Sequence, residues 1–272
     1  MGGSTCQEPE TEATATEESL STTTESASTT KESASTTTES LSTPAGPTTP
    51  ATECSCGVPN RPNRIVGGVV TEVNEYPWQV GLVSSSSTRP YCGGSILSSR
   101  TILTAAHCTA GDVASSITVV VAEHDWTVAD GELRFSVCSK TEHPAYESST
   151  VDYDFSILTL CSDISFTQDA SPVCLPTQPG SAYDGVLATV SGWGTLVAGG
   201  SQPAQLMEVD VTTLTNPACN AAYGAGSITE SMICATTLGK DACQGDSGGG
   251  LLYILKLFLL LFLRTSGDQR DR

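Results

Sequence analysis

Short apolar runs separated by turn residues are the feature that most constrains the fold of this chain. From residue 54 onward, runs such as WQVGLV, ITVVVA, FSILTL and VLATVSGWG alternate with Gly, Pro, Ser and Asp. Runs of this length bounded by turn residues are typical of β-strands, and few stretches of the chain sustain a helical period. The pattern predicts an all-β sandwich or barrel.

The first 53 residues have a different composition. They are almost all Ser, Thr, Glu, Ala and Pro, they contain no aromatic residue, and residues 22–42 form three seven-residue repeats. No position of the repeat carries a large apolar side chain in every copy, so the period of seven does not indicate a coiled coil. We therefore expect a disordered segment over residues 1–53, and two interpretations stay open: an O-glycosylated, mucin-like stalk or an unmodified spacer.

Net charge and cysteine spacing indicate which partners and which compartment suit this protein. The formal net charge is −18, with no basic patch, which argues against a nucleic-acid partner because phosphate binding needs clustered Lys and Arg. The eleven cysteines stand singly rather than in CxxC pairs, which favours disulfides over zinc and indicates a secreted protein. The N-terminal MGGSTCQEPE has no apolar core of a signal peptide, so we expect the natural N-terminus to lie upstream.

Three short motifs supply the residue types of a serine hydrolase. TAAHC contains His107, DYDFSILTL contains Asp154, and GDSGG contains Ser247. A serine hydroxyl needs a general base to become a nucleophile, and the histidine needs a carboxylate that fixes its tautomer. The three residues together predict a catalytic triad, in which Asp152 is an alternative carboxylate two residues from Asp154.

The order of these motifs separates the classes of serine hydrolase. GDSGG also fits the G-x-S-x-G motif of α/β-hydrolases, but in that fold the acid and the histidine follow the serine. All three histidines here precede Ser247, and the first aspartate, Asp112, follows His107, which also excludes the Asp-His-Ser order of subtilisin. The His-Asp-Ser order of chymotrypsin fits all three motifs.

From about Cys56 to Tyr253 the chain resembles the trypsin/chymotrypsin family of serine endopeptidases. The likeness rests on RIVGG, YPWQV, CGGSIL, TAAHC, HPAY, CLP, SGWGT and GDSGG, in this order. It implies two antiparallel six-stranded β-barrels with the triad of His107, Asp154 and Ser247 between them. Because the likeness stops after Tyr253, the second barrel is expected to be incomplete in this chain.

The resemblance also implies how a substrate would be held. The backbone N–H groups of Gly245 and Ser247 would form the oxyanion hole, where they would stabilise the charge that develops on the substrate carbonyl oxygen. Asp241, six residues before Ser247, would lie at the base of the specificity pocket and pair with Arg or Lys. The implied activity is hydrolysis of protein substrates after basic residues.

The motif NRIVGG implies synthesis as a zymogen. Cleavage after Arg64 by an activating protease would free the amino group of Ile65, which would then pair with Asp246. A charge pair that can form only after cleavage is a suitable switch.

Four disulfides are implied by the same resemblance. They pair Cys92 with Cys108, Cys219 with Cys234, Cys56 with Cys174, and Cys138 with Cys161. The remaining cysteines, Cys6, Cys54 and Cys243, have no assigned partner.

No cofactor or metal is expected for the reaction itself. The loop EHDWTVADGE over residues 123–132 contains four acids, and calcium binds to several oxygen ligands, so a calcium site is an alternative here. In an acidic protein, however, such a run is more often a solvated loop.

The expected organisation has four parts: a disordered segment (1–53), an activation propeptide (54–64), a protease domain (65–253) and an apolar tail (254–272). The run from Leu251 to Leu263 has thirteen residues and includes Lys256, whereas a membrane span needs about twenty apolar residues, so we do not expect an anchor. Two functions remain open: a zymogen-derived endopeptidase, or an inactive homologue or truncated isoform that acts as a binding protein.

Overall fold

The computed structural model describes residues 56–60, 69–176, 183–195, 200–236, 250–253 and 256–259, the last two ranges as backbone. The N-terminal segment 1–53 lies outside the described residues. So do the activation site at Arg64 and Ile65 and the stretch from Asp241 to Ser247.

The described residues form twelve strands, one α-helix and one short 3₁₀ turn. Their bounds, in chain order, are β1 Val69–Val70, β2 Gln79–Ser84, β3 Cys92–Ser98, β4 Thr101–Thr104, the 3₁₀ turn Ala114–Ser116, β5 Ile117–Val121, β6 Leu133–Glu142, β7 Ser156–Leu160, β8 Leu187–Gly192, β9 Met207–Leu214, α1 Asn216–Tyr223, β10 Cys234–Thr236, β11 Gly250–Tyr253 and β12 Lys256–Leu259. This composition confirms the all-β prediction.

Strands β2 to β7 close into an antiparallel barrel. The strands follow one another around it in the order β2-β3-β4-β7-β6-β5. Strand β7 shows the two-residue alternation of a strand with one face in the core: Leu158 and Leu160 are fully buried, and the residue between them is partly exposed. The barrel interior is filled by large apolar side chains, among them Trp78, Leu82, Ile96, Ile102 and Ile117.

Gly94, in the CGGSIL motif, is required by close packing between strands. A Cβ atom at this position would lie 3.0 Å from the carbonyl oxygen of Leu103 and 3.0 Å from Val80 Cγ2. Any side chain would therefore push β4 away from β3, and β4 leads directly to the TAAHC segment.

The second half of the fold is a six-stranded sheet. Strands β1, β9, β8, β11 and β12 are neighbours in that order, and β10 pairs with β9. Within the described residues this sheet is not closed, whereas the first barrel is. The sequence predicts an apolar tail from residue 254, and the structure places Lys256–Leu259 of that segment in β12, antiparallel to β11.

Hydrogen bonds and a shared core join the barrel to the second sheet. The Trp193 indole N–H donates to the carbonyl oxygen of His124 over 3.1 Å, and Ser191 Oγ donates to Gln79 Oε1 over 3.1 Å. The Trp193 side chain is almost fully buried and belongs to the barrel core. The two halves of the fold are therefore packed against each other through Trp193.

Four disulfides stabilise the described fold, and they are the four pairs that the resemblance implies: Cys56–Cys174, Cys92–Cys108, Cys138–Cys161 and Cys219–Cys234. The first encloses a sequence separation of 118 residues. Near it, the Gly57 N–H donates to the Pro172 carbonyl, and the Asn60 side chain donates to the carbonyls of Asn74 and Gln168. The segment 56–60 is thus fixed both covalently and by hydrogen bonds.

Helix α1 and the loop that follows it are anchored at both ends. Thr215 caps the helix by accepting a hydrogen bond from the Ala218 N–H, and Gly224 ends it with φ of 104°. Cys219 of the helix is bound to Cys234 of β10, so the intervening loop is held at both ends. Within the described ranges, no helix is long and apolar enough to cross a membrane.

Candidate active site

His107 lies in a tight turn directly after β4. The Cys108 and Thr109 N–H groups donate to the carbonyls of Ala105 and Ala106, and Cys108 is bound to Cys92 of β3. The two alanines are fully buried, whereas the His107 side chain is 34% exposed. The turn therefore holds the backbone of His107 in place while its imidazole stays partly exposed.

Asp154 holds His107 at two points. Its Oδ2 lies 2.6 Å from His107 Nδ1, and its Oδ1 accepts a hydrogen bond from the His107 backbone N–H over 2.7 Å. The Asp154 side chain is fully buried, at the start of the segment that leads into β7. A carboxylate at this position can only accept, so the contact favours the tautomer with the proton on Nδ1 and the lone pair on Nε2. This is the tautomer that a general base requires.

Asp152, the alternative carboxylate, faces elsewhere. Its Oδ1 accepts hydrogen bonds from the hydroxyls of Thr229, over 2.7 Å, and Ser231. These bonds, with that of Ser231 the strongest, hold the pKa of Asp152 below its usual value. The structure brings Asp154, and not Asp152, to His107.

The other predicted site residues lie outside the described residues. This applies to the nucleophile, the oxyanion donors, the specificity aspartate and the activation residues: Ser247, Gly245, Asp241, Asp246, Arg64 and Ile65. Strand β11 begins at Gly250, shortly after Ser247, and pairs with β8 through Leu251–Val190 and Leu252–Thr189.

The acidic loop 123–132 contains hydrogen bonds of its own, while its residues 127–131 are exposed to solvent. Asp130 accepts a hydrogen bond from the Asp125 N–H, and Glu132 accepts one from the Asp130 N–H. Glu123 is buried, and its Oε1 has no hydrogen-bond partner among the described residues. Burial, together with the charges of Asp130 and Glu132, raises the pKa of Glu123 to about 7.

Within the described residues, no three of the four acids of this loop, Glu123, Asp125, Asp130 and Glu132, bring their carboxylate oxygens close enough together to share one ion. Calcium binds to several such oxygens at once. A calcium ion at this loop therefore stays a prediction from the sequence.

The Glu123 carboxylate makes the stability of the calcium-free protein depend on pH. Its pKa is about 7 in the folded protein, whereas an unperturbed glutamate has a pKa of 4.5. The folded state therefore binds the proton more tightly, and this contribution to the free energy of unfolding is complete below about pH 4.5 and lost as the pH rises to about 7. Glu123→Gln has no carboxyl group to lose a proton at this position, so we expect its free energy of unfolding not to fall in this way as the pH rises. At pH 8 in a chelator, the variant should be more stable than the natural protein.

Urea unfolding at about pH 4.5 and pH 8 in a chelator measures this effect. Glu230→Gln, a change at an exposed glutamate, is the control. An equal pH dependence of stability in the natural protein, Glu123→Gln and Glu230→Gln would show that the pKa of Glu123 is not raised.

Sequence reasoning missed two groups of residues near the site. Thr229 and Ser231, which bind Asp152, are 77 and 79 residues away from it. His143 stacks on Tyr153, with ring centroids 4.9 Å apart and an interplanar angle of 9°. The HPAY motif contains His143, but its sequence gives no sign of this partner.

Comparison with known proteins agrees with the geometry. The family model described as Trypsin matches residues 65–260, a range that extends past Tyr253. Trypsin alpha-4 of Lucilia cuprina is 42% identical over 197 residues, which cover 72% of this chain and 75% of the relative. Trypsin beta of Drosophila erecta is 39% identical and trypsin delta of Drosophila melanogaster 40% identical, each over 198 residues that cover 72% of this chain and 76% of the relative. The chain therefore belongs to the trypsin family of serine endopeptidases.

Proposed function

We propose that this protein hydrolyses proteins after Arg and Lys by means of a His107–Asp154–Ser247 triad, and that it is made as a zymogen cleaved between Arg64 and Ile65. The observation that carries the proposal is the pair of contacts between Asp154 and His107, at 2.6 and 2.7 Å. These contacts set the tautomer that catalysis needs, in a member of a family whose chemistry is peptide hydrolysis.

In this mechanism His107 Nε2 takes the proton of the Ser247 hydroxyl as its oxygen attacks the scissile carbonyl. The buried carboxylate of Asp154 stabilises the imidazolium that forms. The backbone N–H groups of Gly245 and Ser247 bind the oxyanion, and His107 then gives its proton to the leaving amine. Water repeats the sequence on the acyl-enzyme and frees Ser247.

The family chemistry also leads to proposals about partners and location. Protein chains are the substrates, and an activating protease that cuts after Arg64 is the second partner. Four disulfides in the described fold support secretion, because such bonds form and persist in oxidising compartments.

Asp241 is proposed to select the substrate, and its replacement tests that role. After cleavage at Arg64, we expect Asp241→Ser to lose the preference for Arg and Lys, because the cationic side chain no longer has a charged partner. Hydrolysis of peptides that differ only in Arg, Lys or Phe before the scissile bond measures the preference.

Titration with a serine-directed inhibitor supplies the control, since Asp241→Ser should leave the number of reactive sites unchanged. Cleavage of Phe peptides by the unaltered protein would overturn the Asp241 assignment. A protein that neither turns over substrate nor titrates would overturn the endopeptidase proposal in favour of a binding role.

A further inference from the structure

The segment around Asp152 has a backbone conformation that needs support. Val151 and Tyr153, on either side of Asp152, have φ angles of 58° and 51°. This left-handed region is unfavourable for side chains other than Gly, and most of all for a β-branched residue such as valine. Two such residues in a row of three persist only where neighbouring groups hold them.

Contacts on the near side of the segment supply part of this support. The Glu147 N–H donates to the Asp152 carbonyl over 3.0 Å, and the Asp152 N–H donates to the Glu147 carbonyl over 3.3 Å. The Tyr153 ring lies flat on His143, whose own N–H donates to the Phe155 carbonyl over 2.8 Å. All these partners belong to the same part of the chain as the segment itself.

The Asp152 carboxylate supplies the contact with the other half of the fold. Its Oδ1 accepts from the hydroxyls of Thr229 and Ser231 and from the Tyr153 N–H, the last over 3.0 Å. The Tyr153 N–H also points to Ser231 Oγ, at 3.1 Å. One carboxylate oxygen therefore collects three donors, two of them from the loop between α1 and β10.

That loop is a firm support. Thr229 is held through its carbonyl, which accepts from the Asn216 side chain over 2.7 Å, and the neighbouring Met232 is buried. The disulfide Cys219–Cys234 closes the loop at its base. By contrast, residues 147–150, which precede Asp152 on the other side of this contact, are exposed. The stable side of the contact is thus the second half of the fold.

We infer that Asp152 is a positioning residue: it fastens the segment that carries Asp154 to the loop between α1 and β10, and so keeps the Asp154 carboxylate against His107. Only Tyr153 separates the two aspartates. Asp152 is not itself catalytic, since its contacts are with Tyr153, Thr229 and Ser231 and not with the imidazole. The inference rests on the proposed role of the His107–Asp154 pair.

The experiment compares Asp152→Ala, Ser231→Ala and the double variant, each made in the full chain and cleaved after Arg64. We expect Asp152→Ala to lower kcat about 10- to 100-fold with KM within about twofold, because small displacements of catalytic groups act on the reacting geometry. Asp152→Asn keeps an Oδ1 acceptor and should restore kcat to within about threefold. The double variant should be little worse than Asp152→Ala, because the bond between Asp152 and Ser231 is already lost in the single variant.

Rates are expressed per active site titrated with a serine-directed inhibitor, so a loss of folded protein does not count as a loss of kcat. Asp163→Ala is the matched control: this aspartate also accepts from a serine hydroxyl, that of Ser99 over 2.9 Å, but lies outside the Asp154 segment. We expect its kcat to be unchanged.

A second readout needs no turnover. The proton between His107 Nδ1 and Asp154 should give a low-field NMR signal, which we expect to shift or broaden in Asp152→Ala and to stay in place in Asp163→Ala. An unchanged signal and an unchanged kcat per titrated site in Asp152→Ala would overturn the inference while leaving the proposed function intact. An unaltered protein without activity would overturn the proposed function, and the NMR comparison would still decide the role of Asp152.

Discussion

Asp154→Asn should lower kcat by about 10⁴-fold while the variant stays folded. The asparagine amide keeps the shape of the carboxylate, but its N–H₂ group would face His107 Nδ1 and force the proton onto Nε2. The imidazole could then no longer accept the proton of Ser247, and the imidazolium would lose its buried counter-charge. The rate of hydrolysis of an Arg amide substrate measures the loss. Circular dichroism and the thermal midpoint check that the variant is folded.

Asp152→Asn is the matched control for this variant, because the same chemical change is made two residues away. It should cost only about threefold, since it retains an acceptor for Thr229 and Ser231. If Asp152→Asn were the more damaging change, the roles of the two carboxylates would have to be exchanged.

Cleavage after Arg64 should raise activity by at least about 10²- to 10³-fold, on the order of the effect of a single oxyanion donor. Before cleavage Ile65 has no ammonium group, so Asp246 lacks its proposed partner and the adjacent N–H groups of Gly245 and Ser247 are not held for the oxyanion. Treatment with an Arg-specific protease, followed by assay and N-terminal sequencing, measures the gain and confirms the new end at Ile65.

Two variants separate cleavage from its consequence. Arg64→Gln should resist the activating protease and stay inactive, whereas Asp246→Asn should be cut normally and still fail to gain activity. Full activity of the uncut chain, or of cleaved Asp246→Asn, would show that the zymogen proposal is wrong.

The sequence predicts those parts of the fold whose pattern lies within a short run of residues or within one motif. Alternation in runs such as FSILTL predicts the strands, and the all-β class is confirmed. Motif order names His107 and Asp154, which lie in contact 47 residues apart. The motifs carry this information because each includes the turn or strand that orients its side chain.

Other features depend on contacts that no local pattern records. The bond between Asp152 and Ser231 joins two loops 79 residues apart, and neither loop has a distinctive composition. The burial of Glu123 is likewise invisible in a run of acids, because it depends on the three-dimensional surroundings of that residue. Charge in a sequence indicates solvent exposure only on average, and a single buried carboxylate reverses the conclusion for that residue.

The Cys56–Cys174 bond changes what activation does to the molecule. The proposed cut after Arg64 lies between Cys56 and the protease domain that contains Cys174, so it would open the backbone without detaching the segment that carries Cys56. Activation would then yield one covalent molecule of two chains, with the same mass apart from one added water. The acidic, Ser/Thr-rich leader would remain attached to the cleaved enzyme, and a surface or matrix that binds this leader would also fix where proteolysis takes place.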